Sequence, residues 1–145
     1  MQAMYDIALM AQKSKIRELV SLVRKYHNGI AKQSVVATLD TGLAIKSMTG
    51  IDIELLSCGF EGGYFQLAGL VNTGNLRMVI FLHNPQLSLE DPGILELLRS
   101  CNVRNIPFAN NMTTAEFILH RFLEKEMSNC WRRPDSRPDG NLIYA

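Results

Sequence analysis

Leu76-Arg77-Met78-Val79-Ile80-Phe81-Leu82-His83, closed by Asn84-Pro85, is the stretch on which the fold turns. Met78 to Leu82 is apolar at every position, without the alternation of a strand that has one face in water. Such a run belongs at the centre of a parallel sheet buried on both faces. Upstream, Tyr5 to Ala11 is a second apolar run, too short for a helix, and reads as a buried strand. From Lys13 to Tyr26, Ile16, Leu19, Val20 and Val23 recur at helical spacing, and Asn28-Gly29 is placed to end that helix.

The alternation continues in both directions from the central run. Ser34 to Thr38 reads as a strand, Thr41 to Met48 as a helix stopped by Gly50, and Asp52 to Ser57 as a strand. The turn Gly59-Phe60-Glu61-Gly62-Gly63 leads into a helix through Val71, terminated by Asn72-Thr73-Gly74-Asn75. After the central strand, Gly93 to Asn102 reads as a helix, Ile106 to Ala109 as a short strand, and Thr113 to Met127 as a last helix capped by Thr113 or Thr114. Strands alternating with helices imply right-handed crossovers and a three-layer, doubly wound α/β fold around a five-stranded parallel sheet. Ligands of such sheets bind at the carboxyl ends of the strands. The candidate site therefore falls on Gln12 to Lys15, Leu39 to Gly42, Cys58 to Tyr64 and His83 to Gln86.

The 145 residues suit one domain, read as residues 1–127, with an irregular C-terminal extension over 128–145. Trp131, Leu142, Ile143 and Tyr144 suggest that the extension docks on a neighbouring subunit. A formal charge of +1 provides no general field for a nucleic acid polymer. The three cysteines, Cys58, Cys101 and Cys130, form no CxxC pair, so neither a disulfide framework nor a metal site is expected, and a cytoplasmic location follows. No apolar run approaches the roughly 20 residues that span a bilayer.

At the four loops the chain resembles methylglyoxal synthase and its relatives, which include the regulatory domain of carbamoyl phosphate synthetase. The resemblance runs from Asp6 to Leu119 and rests on fragments in the right order. Ile7-Ala8-Leu9-Met10-Ala11 opens it, and Ala37-Thr38-Leu39-Asp40-Thr41-Gly42 stands where the enzymes carry an Ala-Thr-Gly-Thr-Thr-Gly phosphate loop. Thr49-Gly50, Gly59-Phe60-Glu61-Gly62-Gly63 and Asn84-Pro85 follow, then Arg104-Asn105-Ile106-Pro107-Phe108-Ala109-Asn110 and Thr114-Ala115-Glu116-Phe117.

The resemblance also implies departures at the reacting positions. Gln12 and Lys13 replace the His-Asp of the enzymes, Tyr64 replaces the Asp base, Asn84 replaces an Asp, and Glu90 stands in place of a His. Abstracting a proton beside a carbonyl needs a positioned carboxylate or imidazole, and a tyrosine with an ordinary pKa of about 10 is a poor base. The expectation drawn from this is a non-catalytic protein, without catalytic residues or cofactor, that senses or sequesters a phosphorylated, nucleotide-derived small molecule. Two alternatives stand beside it. One is a divergent methylglyoxal synthase acting on dihydroxyacetone phosphate with Glu61 or Glu90 as base; the other is a structural oligomer subunit whose site is filled by Tyr64, Phe65 and the tail.

The ligand-binding set expected is Gln12, Lys13, Lys15, Thr38, Asp40, Thr41, Gly42, Cys58, Gly59, Gly62, Gly63, Tyr64, His83 and Asn84. Within it Lys13 and Lys15 supply charge, and Thr38, Thr41 and Gly42 supply donors at a helix N-terminus. Lys13 and Lys15 also read simply as a solvated first helical turn, Asp40 as an N-cap, Cys58 as a small buried residue, and Tyr64-Phe65 as packing rather than a stacking platform. His83 reads as pocket lining. The family resemblance further implies a homo-oligomer, commonly a hexamer.

Overall fold

The computed structural model describes residues 4–86 and 91–127. Its elements are β1 (Ile7–Ala11), a 3-10 turn (Lys13–Lys15), α1 (Ile16–Lys25), α2 (His27–Ala31), β2 (Val35–Ala37), α3 (Leu39–Thr49) and β3 (Glu54–Leu55). A second 3-10 turn (Gly59–Glu61), α4 (Gly63–Asn72), β4 (Val79–Leu82), α5 (Pro92–Arg104), β5 (Phe108–Ala109) and α6 (Met112–Met127) complete them. The five strands are parallel and lie in the order β3-β2-β1-β4-β5, with Leu9 of β1 opposite Ala37 of β2 and Ile80 of β4.

Successive side chains of a strand point to opposite faces, so β1 and β4 each feed two cores. Ile7, Leu9, Ile80 and Leu82 pack with Leu19, Val23, Ile45 and Leu119 of α1, α3 and α6. Ala8, Met10, Val79 and Phe81 pack with Leu67, Val71, Ile94 and Leu97 of α4 and α5 on the other face. Burying each large apolar side chain contributes roughly 1.5–3 kcal/mol, which is why the uninterrupted apolar runs, rather than local propensity, decide these strands. The helices change face after β3, so the topological switch point lies between β1 and β4. The edge strands β3 and β5 are only two residues long, shorter than the runs read for them.

Three local expectations are corrected. Asn28-Gly29 does not end the first helix: the chain breaks at Tyr26 (φ −109°, ψ 27°) and resumes as α2 across both residues. Ile30, fully buried, draws that segment inward, and a Cβ on Gly29 would meet Leu123 of α6 at 2.7 Å. The N-cap of α3 is Thr38 rather than Asp40, which lies in the first turn. At the start of α6, Asn111, not Thr113 or Thr114, takes the capping role, its side-chain oxygen accepting from the Thr114 amide at 3.0 Å. Glu90 and the extension read at 128–145 lie outside the described residues. Among the described residues no helix is long and apolar enough to cross a membrane.

Candidate functional site

The carboxyl ends of β1, β2, β3 and β4 carry the four loops singled out in the sequence, and side-chain hydrogen bonds tie these loops together. The Thr41 hydroxyl, 1% exposed, bonds both the amide and the carbonyl of Ala11, fixing the start of α3 against the end of β1. The Cys58 thiol donates to Asp40 at 3.1 Å, joining the loop after β3 to the first turn of α3. The side-chain oxygen of Gln12 accepts from the Asn84 amide at 2.5 Å, spanning the switch point. Gln66 of α4 accepts from the Ser57 amide at 2.9 Å and holds the same β3 loop from its other side.

The α3 end has the form of an anion cradle. Its first helical bond runs from the Gly42 amide to the Thr38 carbonyl, so the Asp40 and Thr41 amides have no carbonyl within the helix. Thr38 is buried and makes no side-chain capping bond. Lys13 is exposed beside this end of the sheet, whereas Lys15 turns to Glu18 at 3.4 Å. That pair is partly exposed and contributes little to stability. Of the expected donors, the Thr41 hydroxyl is taken up by Ala11 and acts on the loop geometry instead. Gly42 is buried against Leu55 and Ala37.

Tyr64 is 6% exposed and its ring lies among aromatic neighbours, with centroids 5.8 Å from Phe81 and 6.0 Å from Phe60. It packs under the β3 loop instead of offering a stacking face, while Phe65 next to it is 52% exposed. Gly62 adopts φ 105°, a left-handed conformation that suits glycine, and Gly63 is buried against the Ser57 carbonyl. His83 is half-buried with its ring edge to Phe81, 6.4 Å between centroids.

Burial, and then the charges of Asp91 and Asp40, push the Tyr64 hydroxyl above its ordinary value of 10.0, so it stays protonated at neutral pH. The hydrogen bond to Asp40, followed by desolvation, raises the Cys58 thiol, which is thereby kept from becoming a nucleophilic thiolate. Three carboxylates of the described residues stand around this end of the sheet. Asp40 accepts from Cys58; Asp91, the N-cap of α5, accepts from the Gly93 and Ile94 amides at 2.8 and 3.2 Å. Glu61 is exposed and its carboxylate bonds to no other described residue. Asp91 was passed over in the sequence, although Asp-Pro at a helix start is a readable N-cap signature. Gln66 carried no such signal, since its partner is a backbone amide brought close only by the fold.

No family model matches the chain. Curated relatives do. The chain is 36% identical over 117 residues to the methylglyoxal synthase of Clostridium beijerinckii, a match covering 80% of this chain and 98% of that one. It is 38% identical over 124 residues to the methylglyoxal synthase of Moorella thermoacetica, covering 85% and 96% respectively. The crystal structure of methylglyoxal synthase from Elizabethkingia anophelis aligns with a TM-score of 0.74 at 32% identity, over 80% of this chain and 77% of that one. These matches overturn the non-catalytic expectation, which gave the departures at Gln12, Lys13, Tyr64, Asn84 and Glu90 more weight than the agreement of the rest of the chain with the enzymes. At 36% identity over nearly the whole length of a curated relative, the chain belongs to the methylglyoxal synthase family.

Proposed function

We propose that the chain is a phosphate-eliminating lyase that converts dihydroxyacetone phosphate to methylglyoxal. The observation that carries this reading is the 36% identity to a curated methylglyoxal synthase across 98% of that protein; the N-terminus of α3, whose Asp40 and Thr41 amides have no carbonyl within the helix, supports it. In this reading the phosphate is held by the Asp40 and Thr41 amides, the Thr38 hydroxyl and Lys13. A helix N-terminus contributes roughly 0.3–1 kcal/mol toward a nearby anion, and the lysine adds charge.

The reaction needs a base for the proton on the hydroxymethyl carbon. Removing it gives an enediolate, whose collapse breaks the bond to the phosphate oxygen; the enol left behind tautomerises to methylglyoxal. Tyr64 is protonated and buried, Asp40 is bonded by Cys58, and Asp91 is committed to two amides. We assign the proton acceptor to Glu61, whose carboxylate is not taken up by any described residue and whose turn precedes Gly62-Gly63. Positioned bases are worth about 10²–10⁴ in rate. Glu61→Gln is therefore expected to lower kcat for phosphate release by that factor. A Glu61→Gln variant with full activity, beside an inactive Glu90→Gln, would move the role to Glu90.

The proposal extends to assembly. A homohexamer is inferred from the family, and exposed apolar side chains such as Leu43 and Met48 on α3 are consistent with surface covered by other copies.

A further inference from the structure

We infer that Gln12 is a positioning residue: its carboxamide locks the loop after β4 to the end of β1 and sets the width of the crevice at the switch point. Three bonds meet at this residue. Its amide donates to the Leu82 carbonyl at 3.1 Å, its carbonyl accepts from the Lys15 amide at 2.7 Å, and its side-chain oxygen accepts from the Asn84 amide at 2.5 Å. The partners Gln12 and Asn84 are 72 residues apart in the chain. A backbone N–H can only donate, so the side-chain atom facing Asn84 must be the oxygen and the orientation of the carboxamide is not open to exchange.

The need for this acceptor follows from the sheet. Pairing of β4 with β1 stops at Leu82, and pairing with β5 stops at Ile80, so the ladder provides no carbonyl for the half-buried Asn84. A partly buried amide left without an acceptor is costly. Asn84 passes the constraint on, its own side-chain oxygen accepting from the Gln86 amide at 3.0 Å. Gln12 thus governs where the loop from His83 to Gln86 lies relative to the α3 cradle. The kinetic consequence rests on the lyase reading, whereas the lock itself does not.

The test combines amide hydrogen exchange at Asn84 with steady-state kinetics on dihydroxyacetone phosphate, in the full chain and in Gln12→Leu and Gln12→Glu. Leucine matches the size without an acceptor; Asn84 exchange is expected to speed up roughly tenfold, the scale of one lost hydrogen bond. kcat should fall by at least a similar factor with KM changed less. Glutamate keeps an acceptor oxygen, so slow exchange and kcat should return, while its charge raises KM for a phosphorylated substrate. Unchanged Asn84 exchange in Gln12→Leu overturns the lock, and faster exchange with unaltered kcat overturns the positioning role. A parent protein that makes no methylglyoxal refutes the lyase reading, and the exchange measurement then decides on the lock alone.

Discussion

Gly59 lies directly against the ring of Tyr64: a Cβ built on the glycine would stand 2.3 Å from Cζ and 2.6 Å from the phenolic oxygen. The β3 loop is thus laid over the aromatic ring, and a side chain at residue 59 would force the ring or the loop to shift. Gly59→Ala is expected to destabilise the protein by about 1–3 kcal/mol through overpacking, read as a lower denaturation midpoint. Tyr64→Phe, which keeps the ring, should cost less. Equal midpoints for Gly59→Ala and the parent would show that the ring is free to move aside.

The second relationship is at the start of α5. Asp91 accepts from two amides there and is followed by Pro92 at the first helical position. Asp91→Ala should cost about 0.5–2 kcal/mol, and Asp91→Asn, still a good cap, much less. Denaturant titration of the two variants separates capping from charge, since only a charge effect would make them equally unstable.

Alkaline stability follows from acids that the fold raises, among them Cys101, Cys58 and Tyr64. Burial pushes the Cys101 thiol from its ordinary 9.0 up to about 12. Its folded pKa is above the unfolded one, so its contribution is complete below pH 9 and is lost as pH rises toward 12, because the unfolded chain releases a proton that the native state keeps. Tyr64, also raised, acts in the same direction above pH 10. Stability measured against pH should therefore decline from pH 9 upward, and Cys101→Ala should make the decline between 9 and 10 shallower, leaving the part due to Cys58, while lowering neutral stability by about 1 kcal/mol. A parent protein equally stable at pH 8 and pH 10.5 contradicts this.

Assembly is measurable directly. Light scattering is expected to give a mass near six times the 16.3 kDa of the chain. A species of 16.3 kDa alone removes the oligomer inference.

The layers of the fold were legible because β1 and β4 carry uninterrupted apolar runs and α1 a clean helical stripe, and these signals are local. What escaped reading was set by contacts distant in sequence. Gly29 reads as a helix stop yet serves the approach of Leu123, and β3 is only Glu54–Leu55, with Ile51 and Ile53 buried in the core outside the ladder. At the site, the identity of the loops was readable but their wiring was not. That Gln12 faces Asn84, or that Cys58 faces Asp40, depends on parallel strands laid side by side. The functional reading failed for a related reason: the departure at single positions such as Tyr64 outweighed the alternative stated beside it, in which Glu61 or Glu90 supplies the carboxylate.

The most direct test of the account is the rate at which purified protein releases inorganic phosphate and methylglyoxal from dihydroxyacetone phosphate. The account predicts equal molar amounts of the two products, at a turnover in the usual enzymatic range of about 1–10³ per second, with Glu61→Gln reducing it. Product formation no faster than in protein-free buffer, from folded protein, would contradict it.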